Sequence, residues 1–283
     1  MKLFGVLIFS FCFACQPTTG ETPDPIKRPE KTAAAEPVQP PKRIVSLAPS
    51  TTEILFALGA QAEIVGVTKF CDTPPAATEI ANVGGLMDLD IEAVLSKNPT
   101  HVVGVKTATS AKVEDVLKAA NIRVMWVPVE TISQTIDAMA SIGEFVERRE
   151  AGGQLGKTLA KSLKPIATQP DNRVRALVVF GREPMVAAGP KTFATELLER
   201  AGAENALSSG PSYPTLGAEA VVAAKPDVVI DLSGGTDPFP VDAAIVSSEC
   251  VFSVSSSLMR PGPRLGQAYT KFQSAVQTPA CRK

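Results

Sequence analysis

Leu89-Asp90-Ile91-Glu92-Ala93-Val94, followed by Pro99 and Val102-Val103, is matched further along the chain by Leu216-Gly217-Ala218-Glu219-Ala220-Val221, followed by Pro226 and Val229-Ile230. Leu, Glu, Ala, Val and Pro fall at equal offsets without a gap, so the chain carries two copies of one helix–proline–strand unit. Each copy places a Glu in the first turn of its helix, where a negative side chain meets the positive end of the helix dipole. Two readings of Glu92 and Glu219 stay open on the residues alone. They are plain helix-terminal charges, or a matched pair of carboxylates on two equivalent lobes that meets arginines of a two-fold partner.

Outward from the repeat, short β-branched runs alternate with helical patterns. Arg43–Leu47, Ile64–Val67, His101–Val105 and Val124–Val127 read as strands. Helices are predicted over 90–97 and 110–120. Ser50-Thr51-Thr52-Glu53 fits a capping box ahead of Ile54, with Gly59 as the stop. A second run has strands at 174–180, 228–231 and 251–254, with helices at 192–201, 219–224 and 263–276. Strands alternating with helices imply parallel pairing in an α/β fold. Between the runs, Thr131-Ile132-Ser133-Gln134 fits a further capping box. Ile132, Ile136, Met139, Ile142, Val146, Leu155, Leu159 and Leu163 then recur at helical spacing. One continuous helix here has about 30 residues and a length of ~45 Å; a break at Gly152-Gly153 is the alternative.

The N-terminal end reads as export apparatus. Met1-Lys2 is basic, Leu3–Phe13 is a short apolar run, and Cys12-Phe13-Ala14-Cys15 resembles a bacterial lipobox with Cys12 in the usual leucine position. The expected plan is a signal peptide over 1–15 with an acylated Cys15 anchoring the protein to a membrane. A Pro-rich tether follows over 16–42, a first lobe over 43–130, a linking helix over 131–165 and a second lobe over 166–283. An ordinary signal peptide with both cysteines discarded is the other reading. Of the remaining cysteines, Cys250 and Cys281 either join in a disulfide or stay with Cys71 as buried thiols.

Composition narrows the function. The 283 residues carry a formal net charge of −1, with one Trp and two Tyr, which argues against a nucleic-acid partner. The single histidine, His101, cannot supply the several ligands that a bare zinc or manganese ion requires. No Gly-x-Ser-x-Gly elbow, P-loop or Gly-x-Gly-x-x-Gly fingerprint appears, so an α/β hydrolase or other enzyme finds no support. Gly234-Gly235-Thr236-Asp237 reads as a turn. A scaffolding lipoprotein is the remaining class, and it needs no cleft.

Several segments, taken in order, resemble the bacterial periplasmic-binding proteins for cobalamin, ferric siderophores or haem that serve ABC importers. They are Arg43–Glu53, Val65–Thr68 with Cys71–Pro75, Pro99–Val103, Ala201–Asn205, Glu219 with Pro226–Ile230, and Arg260–Arg264. The likeness spans about 43–276 and is greatest to the cobalamin-binding member. It implies an α/β fold of two Rossmann-like lobes joined by one long helical backbone, the class III periplasmic-binding fold. It further implies a small-molecule ligand in the interlobe cleft, no covalently bound cofactor, a monomer, and Glu92 and Glu219 docking on an ABC permease dimer. The implied ligand is cobalamin or an iron chelate. The implied cleft positions are Pro49, Ser50, Phe70, Leu86, Lys106, Arg182 and Arg260, with Tyr213 as an added aromatic wall. Leu86 and Val105 stand where the cobalamin-binding member has tryptophans.

Overall fold

The computed structural model describes residues 41–85, 88–108, 110–168, 173–240 and 246–282. Cys15, residues 16–40 of the predicted tether and Leu86 lie outside the described residues.

Four parallel strands form the first sheet: β1 (Ile44–Ser46), β2 (Ile64–Val67), β3 (His101–Val105) and β4 (Arg123–Val127), in the order β2-β1-β3-β4. Helices α1 (Pro49–Ala57), α2 (Ile91–Ser96) and α3 (Ser110–Ala119) lie in its crossovers. The second sheet is built on β5 (Arg175–Arg182), with β6 (Met185–Ala187), β7 (Glu204–Asn205), β8 (Thr215–Leu216), β9 (Val228–Asp231) and β10 (Val251–Ser253). Its order is β10-β9-β5-β6-β8, with β7 also paired to β5. Here the expectation of parallel pairing holds for β7, β9 and β10 and fails for β6 and β8, which run antiparallel to their partners. Those two strands have 3 and 2 residues, too few to show a period in the sequence. Helices α6 (Phe193–Arg200), α7 (Ala218–Ala224) and α8 (Leu265–Gln277) complete this half.

The sequence repeat is a repeat in space. Helices α2 and α7 each leave a single valine, Val94 and Val221, fully buried against their sheets, and each such burial contributes about 1.5–3 kcal/mol. Both helices give way to a left-handed residue, Asn98 (φ 47°) or Lys225 (φ 46°), then a proline, then a central strand. The offset that carries Leu89 to Leu216 also carries the pair Val102–Val124, between β3 and β4, to the pair Val229–Val251, between β9 and β10.

Two local expectations require correction. Helix α1 begins at Pro49, not after a capping box: Ala48 is its N-cap, without a side-chain hydrogen bond, and Pro49 supplies the preset φ of a first helical residue. The Thr51 hydroxyl donates to the Ala48 carbonyl at 2.9 Å, and Glu53 is released for another role. Residues 131–165 are not one helix. They form an antiparallel pair, α4 (Ile132–Phe145) and α5 (Arg149–Ser162), turned at Val146–Arg148 with Glu147 at φ 61°. The predicted Thr131–Gln134 capping box is present. Gly152 lies inside α5 and does not break it. It permits close packing: a Cβ there would stand 2.6 Å from the Met139 carbonyl oxygen, and one on Gly143 would stand 2.7 Å from the Gly152 Cα. The periodic apolar residues therefore describe two packed helices, each about 21 Å long.

One apolar core runs without interruption from the first sheet to the second. It includes Ile54 and Leu55 of α1, Ile132, Met139 and Ile142 of α4, Leu159 of α5, Leu177 of β5, Leu197 of α6, and Tyr269 and Phe272 of α8. A smaller cluster of Val45, Leu47, Val94, Val102 and Leu117 lies in the first half alone. Glu196 of α6 adds a polar link by accepting the otherwise unpartnered first-turn amide of Ile132 at 2.9 Å. Cys250 and Cys281 form a disulfide, and Cys71 is a buried free thiol.

Candidate functional site

Strands β3 and β4 of the first half and β5 of the second lead into a cleft of about 890 Å³. Open α/β sheets present their binding crevice at the carboxyl ends of the strands, where side chains and loop amides emerge from a rigid base. The first-half wall is Val105, the last residue of β3, with Lys106–Ala108, then Pro128–Glu130 after β4 and Gln134 of α4. The second-half wall is Phe180 of β5, Lys191–Ala194 at the start of α6, Ser212-Tyr213, and Met259 with Pro261. The volume matches that of sites for drug-sized or larger organic ligands. One wall is aliphatic and polar. The other presents three aromatic rings.

Tyr213 is 59% exposed in this wall and meets the Phe180 ring edge-on, 5.7 Å between centroids. Its loop is fixed from both sides. The amide of Gly189 donates to the Ser212 carbonyl at 2.8 Å, and that of Ala187 to the Pro214 carbonyl at 3.1 Å. Any side chain at residue 189 would collide with this loop, since a Cβ there would lie 1.9 Å from the Pro211 carbonyl oxygen.

Of the predicted positions, Lys106 and Tyr213 line the cleft, and Arg260 stands between the lining residues Met259 and Pro261. Pro49, Ser50, Phe70 and Arg182 are not among the lining residues. Pro49 and Ser50 form the first turn of α1. Phe70 is 51% exposed, with the Lys69 ammonium 5.4 Å from its ring centroid.

Arg182 is committed to protein partners. Its guanidinium pairs with Asp231 at the end of β9 and donates to the Asp237 carbonyl at 2.6 Å and the Gly235 carbonyl at 3.3 Å. Burial pushes the Asp231 carboxyl up, but hydrogen bonds from Arg182 and Ser233 outweigh this and leave it below the usual carboxylate range. Arg260 and Arg264 hold a cluster that joins the two halves. Arg264 donates to both carboxylate oxygens of Glu53, at 2.9 and 2.8 Å. Arg260 pairs with Asp72 through its two terminal guanidinium nitrogens and lies 3.5 Å from Glu53. The hydrogen bonds from Arg260 hold the Asp72 carboxyl down to about 2. His101 is also structural. It is buried, its Nδ1 lies 2.8 Å from the Thr100 hydroxyl and its Nε2 3.1 Å from Arg123, and burial followed by the Arg123 charge lowers its pKa.

Sequence reasoning missed Phe180, Phe193, Lys191, Glu130 and Gln134. Phe180 ends a run of apolar strand residues and carries no mark that sets it apart from the core. Lys191 and Phe193 flank the N-cap of a predicted helix, and their place at the cleft depends on how the two halves face each other. Glu92 and Glu219 are both exposed, each in the first turn of its helix. Trp126 lines a neighbouring cavity that shares Lys106–Ala108 with the cleft, and its buried indole N–H has no acceptor among the described residues. Also among the described residues, no three His, Cys, Asp or Glu side chains converge as a metal-ligand set, and no helix is long and apolar enough to cross a membrane.

Comparison with known proteins gives a consistent relationship. Residues 44–243 match the family model described as periplasmic binding protein. The vitamin B12-binding protein of Salmonella typhi is 28% identical over 66% of this chain and 71% of its own length. An uncharacterized ABC transporter substrate-binding lipoprotein of Bacillus subtilis is 30% identical over 69% of this chain and 64% of its own length. Among solved structures, the apo form of a periplasmic heme-binding protein from Roseiflexus sp. RS-1 superposes with a TM-score of 0.71 at 26% identity, covering 83% of this chain and 99% of that one.

Proposed function

The chain belongs to the periplasmic binding protein family, and from that premise we propose that it captures cobalamin or a related bulky metal chelate and delivers it to the membrane permease of an ABC importer. It is a solute-binding protein, not an enzyme, in keeping with its relatives. The observation that carries the ligand reading is the cleft itself: about 890 Å³ at the strand ends of two halves, with an aromatic wall of Phe180, Phe193 and Tyr213. A large ligand with an apolar face buries against such rings, and the opposite wall supplies polar contacts. Lys106 and Tyr213 touch the ligand directly in this reading, with Arg260 between the lining residues Met259 and Pro261.

A second reading, a ferric siderophore or haem as cargo, is favoured by the lysines at the cleft, as argued below. Glu92 and Glu219 are proposed as the matched carboxylates that engage permease arginines, on the grounds of their exposure and equivalent helix positions. Cys15 is proposed as the acylated residue that keeps the protein near its importer. Ligand entry is expected to involve little closure, because the apolar core is continuous between the halves.

Titration of the purified protein with cobalamin, haem and ferric siderophores, followed by Trp126 fluorescence and calorimetry, tests the proposal. Saturable binding of one equivalent of one of these supports it, and the absence of binding by all three overturns it. The double substitution Glu92→Ala with Glu219→Ala is expected to leave ligand affinity unchanged and to abolish most uptake by cells. Loss of ligand binding in that variant would refute the docking assignment.

A further inference from the structure

The cations around the cleft fall into two groups. Arg182, Arg260 and Arg264 are held by Asp231, Asp72 and Glu53. Lys106 and Lys191 line the cleft, both are exposed, and neither ammonium has an ion-pair or hydrogen-bond partner among the described residues. They stand on opposite walls. Lys106 follows β3, and its backbone is fixed by an amide hydrogen bond to the Val127 carbonyl at 2.9 Å. Lys191 precedes α6 and holds φ 62°, a left-handed conformation unfavourable to a side chain with a Cβ. The acidic side chain lining the cleft is Glu130, so the lining charge is positive by one.

We propose that these two lysines select a ligand with an apolar body and at least two acidic groups, one meeting each wall. This rests on the cleft being the ligand site. An ammonium beside apolar surface has a stronger field than one in open water, and a carboxylate brought to it gains more than it would from an exposed pair. Lysine suits this task because it acts as a flexible point charge and needs no planar bidentate partner. Two separated cations favour one ligand with acids on opposite sides over a ligand with one clamped group. The rings of Phe180, Phe193 and Tyr213 cover the apolar body from the second-half wall.

Haemin, which carries two propionates, and its neutral dimethyl ester are probes of equal bulk. The intact protein is expected to bind haemin about tenfold or more tighter than the ester, and added salt is expected to weaken haemin binding alone. Lys106→Gln and Lys191→Asn are each expected to weaken haemin about three- to fivefold without affecting the ester, and the double variant to lose the discrimination. Asn is chosen at 191 because it tolerates the left-handed backbone. Equal affinity for haemin and ester, or haemin affinity unmoved by both substitutions, overturns the proposal. Binding of cyanocobalamin with no preference for acidic chelates overturns it while leaving the chelate-cleft reading intact. Failure of every chelate to bind overturns both.

Discussion

The arginines beside the cleft and the lysines lining it carry the same charge and have opposite circumstances. Arg182, Arg260 and Arg264 are each tied to a carboxylate, and Glu53, whose side chain is 4% exposed, forms ion pairs with two of them. Lys106 and Lys191 face the cleft without such partners among the described residues. The guanidinium fork matches a carboxylate through two parallel bonds and suits a permanent joint. The ammonium is more readily left for a visiting ligand. The arginines accordingly hold the frame of the cleft, and the lysines present charge inside it.

The comparison breaks most visibly at Glu53. Glu53→Ala leaves Arg264 and Arg260 without their shared carboxylate at the joint between the halves. Removing one partner of a buried pair costs ~3–5 kcal/mol, and the partial exposure of both arginines places the expected loss near 3. Urea unfolding measures it. A loss below about 1 kcal/mol would mean that the arginines are not committed to the frame. Arg182→Met tests the same distinction in the second sheet. It leaves the buried Asp231 carboxylate with its Ser233 contact alone, so an expected destabilisation of about 2 kcal/mol is accompanied by little change in ligand affinity. The reverse pattern, intact stability with lost binding, would move Arg182 from the frame into the site.

Much of the frame was legible in the sequence, because repetition and period record it directly. The matched Leu89 and Leu216 segments gave both halves, and Val94 and Val221 mark the same buried position in each. The Thr131–Gln134 capping box was readable because both partners lie within one turn. The Ser50–Glu53 box was misread for a related reason. Its pattern is correct locally, but Glu53 reaches a partner 211 residues away, and no local rule records that. The 131–165 segment shows the same limit. A helical period is identical in one helix and in two packed helices, and the turn at Val146–Arg148 contains neither Gly nor Pro. For the site, residue type named the cations but not their partners. Lys106 and Arg182 looked alike as cleft candidates. Only the positions of Asp231 and of the 235–237 carbonyls separate them.

The smallest expected effect concerns the outer edge of the arginine frame. Asp72 is 58% exposed, yet its carboxyl is held down to about 2 by hydrogen bonds from Arg260. A carboxyl with a folded-state value below its unfolded value of about 3.8 stabilises the fold above that unfolded value. This contribution fades as the pH falls through the folded value, so the window lies between about pH 4 and pH 2. Solvent screening at an exposed pair limits the contribution to under ~1 kcal/mol. Asp72→Asn is therefore expected to be nearly as stable as the parent at neutral pH and to show a shallower fall in stability across that acid window. Thermal melts at closely spaced pH values measure the slope. Parallel curves for the two proteins would show that the Asp72–Arg260 pair contributes nothing to the folded state, and would leave Glu53 as the carboxylate that holds the arginine cluster.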